Sequence, residues 1–259
     1  MDFDAAAILQ WWERALWPFL RIGAVATAAP VIGARFVPAR VRLLFAAAIT
    51  LVLLPVLPEP ARLELFAARW WLAIAEQVAI GVAIGFALQL VFEAVMFAGE
   101  LIAHGIGLSF AQMNDPLRGS DSPVMSQFFL VLSMLLFLSL DGHQVLIAAL
   151  ADSFRTLPVG VAPDAGVALA LAQFGAQIFA GGLAIALPAV MALMIVNLSF
   201  GVISRAAPTL NLFAVGFPLT LVFGLAVLQF ALPSLQVVLA GLLESAWVLI
   251  SQMMRPAHG

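Results

Sequence analysis

The sequence predicts an all-α polytopic membrane protein, with about six long, Gly/Pro-interrupted hydrophobic helices arranged as helical hairpins. Three observations predict it. Of the 259 residues, 64% are hydrophobic and 10% charged, against roughly half and a quarter in a soluble domain. The apolar residues fall into long runs divided by short clusters of Arg, Asp, Glu, Pro and Gly, and most runs approach or exceed the ~20 residues that cross a hydrocarbon core. Gly and Pro also recur inside the runs, which membrane helices tolerate where neighbours satisfy the freed backbone groups. A single membrane domain over residues 1–259 follows.

Several chemistries are excluded. The chain has no cysteine, so disulfides, thiolate catalysis and Cys-ligated metals are ruled out. Every basic residue is Arg, and a phosphate loop ending in Gly-Lys-Ser/Thr needs a lysine. A net charge of −3 offers no polybasic surface for nucleic acid. His104, His143 and His258 lack partners at metal-ligand spacing. No hydrolase or nucleotide site is visible, and no cofactor or metal is expected.

Taken in order, the N-terminus is acidic and aromatic rather than a basic region followed by a short apolar core, so no cleavable signal is expected. Trp11, Trp12 and Trp17 beside Glu13 and Arg14 suit an interfacial aromatic belt, or else are aromatics of an ordinary helix. The first apolar segment covers residues 15–32 with Arg21 inside it. It ends at the densest positive patch, Arg35, Arg40 and Arg42, which favours a cytoplasmic loop there. The second segment, 43–57, is charge-free but short. The third, 70–108, is too long for one simple crossing. Gly81 and Gly85 form a small-xxx-small pair suited to close helix packing.

Gln89, Glu93, Glu100 and His104 recur along the third segment at spacings of four and seven, so they share one helical face. Charges at membrane depth cost on the order of 2.5–3.5 kcal/mol each on insertion scales, so this face should meet protein or water. It reads as a proton relay, as a polar seam between helices or subunits, or as the wall of a wet lumen. No basic partner stands at relay spacing, which favours the latter two.

Residues 109–123, SFAQMNDPLRGSDSP, interrupt the apolar chain near its middle. Pro116, Pro123 and Gly119 argue against one continuous helix through them. The interruption is either an external connection or an element lining a passage. Residues 124–140 are apolar again, and a helix broken or hinged near Gly142, or a tight hairpin, follows. Asp141 beside His143 admits a proton relay or a pair that caps and orients the break. Residues 165–204 carry no charge over about twice a crossing's length; Pro188 is expected to kink their middle, giving half-helices or a bent hairpin. Arg205 then stands where it would neutralise helix C-terminal carbonyls or a partner carboxylate.

Three stretches, with the loop FAQMNDP (110–116) among them, carry a family resemblance: RFVPARVR (35–42), LDGHQVLIAALADSFRTLPVG (140–160) and RAAPTLNLFAVGFPLTLVFGL (205–225). Together they resemble the FliR family of flagellar type III export-gate proteins, whose injectisome relatives are called SctT. The resemblance implies a bacterial inner-membrane protein of the flagellar basal body that joins FliP and FliQ around a channel, with FlhB and FlhA as further partners. Unfolded flagellar subunits would pass through in transit, without enzymatic action by this chain. It also implies that Phe110, Met113, Asn114, Asp115, Pro116, Leu117 and Arg118 form a plug in that channel. Asp141, Gly142 and His143, and Arg205, Pro208, Asn211, Phe213, Gly216 and Pro218, lie in the motifs that carry the resemblance and are expected as hinge or structural positions. The small faces at Gly81, Gly85, Gly181 and Gly182 are expected to contact partner subunits. Two alternatives stand beside this: an injectisome member of the same family, and a small-solute secondary transporter, which predicts a symmetry between halves that is not visible here.

Overall fold

The apolar runs form helices whose ends follow proline and glycine. A computed structural model describes residues 5–34, 36–61, 63–107, 124–206 and 212–256. Among them, eight helices follow in order: α1 (Ala5–Ala28), α2 (Ala39–Leu53), α3 (Ala68–Ile106), α4 (Val124–Ser139), α5 (Gly142–Thr156), α6 (Val167–Phe174), α7 (Ala176–Ala206) and α8 (Leu212–Met253). Pro38 stands at the N-cap of α2 with extended backbone (φ −60°, ψ 145°). That is the conformation its ring favours, and it starts the helix one residue later.

Among the described residues, three stretches are long and apolar enough to cross a membrane: Ala68–Ile106, Val167–Ala206 and Ala231–Met253; the bent pair α4 and α5 makes a fourth if counted as one span. That is fewer than the six expected. The first expected crossing is α1, which holds Glu13, Arg14 and Arg21, and the second is α2, only 15 residues long. At 1.5 Å per residue, the 39 residues of α3 reach about 58 Å, nearly twice a hydrocarbon core.

One break divides the described helices of the 165–204 segment. It falls at Gly175, between α6 and α7, while Pro188 sits inside the continuous helix α7. Glycine gives up the most conformational freedom in a helix, whereas a proline removes one backbone bond and its helix can continue when packed. Pro218 and Pro233 are likewise carried inside α8.

The chain divides into two compact units. The first comprises Met1–Leu90, Phe137–Phe174 and Glu244–Gly259. Its core includes Ile22 and Val25 of α1, Ala46 of α2, Ile80 and Ile84 of α3, Leu146 and Leu150 of α5, and Ile250 of α8, all buried. Trp17 is 3% exposed and meets Trp70 edge-on at 6.3 Å between ring centroids, so it belongs to this core. Trp11 and Trp12, at 53% and 58% exposed, keep the exposure an interfacial belt requires.

The second unit comprises Val91–Leu136 and Gly175–Leu243. Phe92, Val95 and Ile102 of α3, Phe129 of α4, Ile185 and Leu193 of α7, and Leu235 and Leu239 of α8 form its core. Ser234 Oγ donates to the Ile185 carbonyl at 3.2 Å, tying α8 to α7.

Candidate functional site

The most heavily bonded buried polar side chain described in the first unit is Arg21. Its guanidinium is fully buried. Nε donates to Gln77 Oε1 at 2.8 Å, one Nη to Ser153 Oγ at 2.9 Å, and the other to the Leu157 carbonyl at 2.9 Å. The Phe154 ring lies 4.0 Å from the guanidinium carbon, close enough for a cation–π contact. Four contacts from a planar fork with fixed donor directions thus join α1 to α3, to α5 and to the turn after α5. The sequence marks Arg21 as a charge inside an apolar run, which must find partners. Gln77 and Ser153 carry no such mark and were not anticipated.

The glycine pair of α3 packs against α1. A Cβ on Gly81 would overlap the Arg21 carbonyl oxygen and lie 2.6 Å from Ala24 Cβ; on Gly85 it would lie 2.6 Å from Ala28 Cβ. In the second unit, Gly181 lies against Leu242, and Gly182 against Phe97 and the Ala94 carbonyl. These four glycines were expected to face partner subunits; they close helix contacts within the chain instead. Small residues let two backbones approach, and this chain's own helices take up the space.

The polar face of α3 is present as the spacing requires. Gln89 and Glu93 are half-buried, while Glu100 and His104 are exposed. His104 Nε2 lies 3.7 Å from Glu100 Oε1, one helical turn apart. The exposed end of the face therefore leads toward the interruption at 109–123. Phe110, Met113, Asn114, Asp115, Pro116, Leu117 and Arg118 lie outside the described residues.

The break between α4 and α5 is built by three successive residues. Asp141 adopts the left-handed conformation (φ 56°, ψ 21°), which costs a non-glycine residue about 1–2 kcal/mol, less for Asp than for most. Its carbonyl accepts from the Gln144 and Val145 backbone N–H groups at 2.9 and 3.1 Å, starting α5. Its carboxylate caps no backbone N–H and instead accepts from Gln144 Nε2 at 2.9 Å. At Gly142 a Cβ would overlap the Phe137 ring. His143 Nδ1 is buried without a hydrogen-bond partner, so no relay to Asp141 runs through that nitrogen. Asp141→Val should lower stability by about 1–2 kcal/mol, because a β-branched residue resists this conformation. Asp141→Gly should equal or exceed the parent, and thermal midpoints of the purified variants check the order.

In the second unit, Asn197 Nδ2 donates to the Gly105 carbonyl at 3.2 Å, satisfying one of the orphan carbonyls near the end of α3. Arg205 is exposed in the last turn of α7, where a cation complements the helix dipole. Pro208 and Asn211 lie outside the described residues. Phe213 and Gly216 fall in the first turns of α8, and Pro218 is held within it.

Among the described residues, no group of three or more His, Asp or Glu side chains is placed to hold a metal ion. Residues 12–246 match the family described as bacterial export proteins, family 1. A flagellar biosynthetic protein FliR of Pectobacterium carotovorum subsp. carotovorum is 42% identical over 234 residues, covering 90% of this chain and 89% of the relative. The FliR of Escherichia coli (strain K12) is 41% identical over 228 residues, covering 87% and 86%.

Proposed function

The chain belongs to the bacterial export proteins, family 1, as a flagellar export-apparatus subunit similar to FliR, and we propose that it forms the core of the export gate with FliP- and FliQ-type proteins. Unfolded flagellar subunits pass through that gate, FlhB and FlhA associate with it, and this chain contributes no catalysis. Its place is the bacterial inner membrane, at the flagellar basal body. The two units act as one membrane domain, and the shorter apolar helices complete about six hairpin-forming hydrophobic segments. That both relatives are named for the flagellum favours this over an injectisome member.

One observation carries the gate reading. A polar face on α3, half-buried at Glu93 and exposed at His104, runs into a Pro-bounded polar interruption between two apolar helices. Such a feature is tolerated at membrane depth only against protein or water. In the proposed gate this face borders the lumen or a subunit seam, and Phe110, Met113, Asn114, Asp115, Pro116, Leu117 and Arg118 plug the lumen. The motif positions Asp141, Gly142, His143, Arg205, Pro208, Asn211, Phe213, Gly216 and Pro218 hold the helices that frame it.

Deleting residues 113–119 tests the plug. With the partner proteins co-expressed, cells carrying the deletion should leak small ions, read as collapse of the membrane potential. An unchanged potential, with the shortened chain still assembled in the complex, would remove the plug from the proposal.

A further inference from the structure

One face of α3 stays uncovered along the part of the helix that belongs to the first unit. Trp71, Ala75, Val78, Val82, Phe86 and Gln89 recur at spacings of three and four, so they line one stripe. All but the half-buried Gln89 are exposed. The stripe is apolar from Trp71 to Phe86, turns polar at Gln89, and continues along the helix into Glu93, Glu100 and His104. Gly81 and Gly85 are turned the other way, against α1. Glu76 stands on the flank of the stripe, with one carboxylate oxygen buried inside the protein.

The length and the two ends of this stripe identify what covers it. From Trp71 to Gln89 the helix rises about 27 Å at 1.5 Å per residue, close to the ~30 Å of a hydrocarbon core. At the near end Phe66, Trp70 and Trp71 form an aromatic cluster, with ring centroids 5.5 Å apart for Phe66 and Trp70 and 4.8 Å apart for Trp70 and Trp71. Phe66 is 73% exposed and holds a left-handed φ of 64°, a conformation that strains a bulky residue. α1 runs parallel to α3, since Arg21 and Ala24 meet Gly81 while Ala28 meets Gly85. Trp17 stands at Trp70, so the exposed Trp11 and Trp12 lie on the Phe66 side, about 7–9 Å before Trp17 along the helix. Amphipathic aromatic rings gather at the headgroup level of a bilayer, and the exposed Arg69 among them suits the phosphates there. An apolar stripe with an aromatic belt at one end and polar side chains one core thickness away fits lipid hydrocarbon. We propose that the acyl chains of the bilayer cover α3 from Trp71 to Phe86, with Phe66, Trp71, Trp11 and Trp12 at one headgroup layer and Gln89 at the opposite edge. The surface belongs to the first unit alone and does not depend on the export-gate reading.

The chain has no cysteine, so a single introduced cysteine carries one nitroxide label at a chosen position. The full-length chain is reconstituted in vesicles of phosphatidylcholine and phosphatidylglycerol. Spin relaxation by oxygen, which concentrates in hydrocarbon, is compared with relaxation by a water-soluble nickel chelate. Chelate collisions should be lost for Ala75→Cys, Val78→Cys and Val82→Cys and return for Phe66→Cys and Gln89→Cys, while oxygen collisions peak at positions 78 and 82. Ala79→Cys, also on an exposed residue, replaces any inner variant that does not yield folded protein. Phe66→Gly combined with Trp71→Ser removes both rings and relieves the strain, since glycine accepts a positive φ. Its thermal midpoint in detergent should hold, while the chelate now reaches a label at position 75. Chelate collisions all along the stripe would show water there, and labels at 78 and 82 shielded from both reagents would show the surface of another protein. Either result overturns the proposal, as does an aqueous edge that the double variant leaves in place.

Discussion

Arg21→Ala should lower the thermal midpoint of the purified protein by roughly 10 °C, from a loss of about 3–5 kcal/mol. The substitution removes three hydrogen bonds donated by a charged group, each worth about 1.5–3 kcal/mol and not additive. It also leaves buried acceptors on Gln77 and Leu157 without a donor and opens a void beside Phe154. Arg21→Lys should fall between, since one ammonium cannot reproduce a fork aimed at three separate acceptors. The combination Arg21→Met, Gln77→Leu and Ser153→Ala should recover part of the loss, because replacing all partners by apolar groups strands fewer of them. A midpoint for Arg21→Ala within the error of the parent would show that the three acceptors find other donors.

Gly81→Val should be the next most damaging change, costing about 1–3 kcal/mol as overpacking, and more if α1 cannot shift. The new side chain would meet the carbonyl of Arg21 itself, which is backbone and cannot swing aside. The effects of Gly81→Val and Arg21→Ala should therefore couple, as neighbours sharing one contact do. Gly85→Val should behave similarly against Ala28. Gly201 provides the control: a Cβ there meets nothing within 4 Å, so Gly201→Ala should be neutral or stabilise by up to about 1 kcal/mol through helix propensity. The thermal midpoints of the four single variants and the Gly81/Arg21 double variant measure all of this. Equal effects at Gly81 and Gly201 would contradict the close approach of α1 and α3.

What could be read from residues alone divides along a physical line. Helical character was legible throughout, because composition and run length settle it in a membrane. The shared face of Gln89, Glu93, Glu100 and His104 was legible too, since spacing within one helix fixes it. The partners of Arg21 were not, because Gln77 and Ser153 lie 56 and 132 residues away and resemble any other polar residue of an apolar helix. Gly81 and Gly85 announced a close contact but not its other side, which proved to be α1. Gly175 gave no sign of a break in the sequence, because packing decides whether a membrane helix continues past a glycine. Trp17 fitted a belt by sequence and a core by packing with Trp70, which no local pattern distinguishes.

The central claim is that this chain is a core subunit of an export gate rather than a protein that works alone. Co-expression with FliP- and FliQ-type partners, followed by purification through a tag on this chain, tests it most directly. The account predicts one monodisperse complex of fixed stoichiometry containing all three proteins. Recovery of this chain alone, folded and free of both partners, would contradict it.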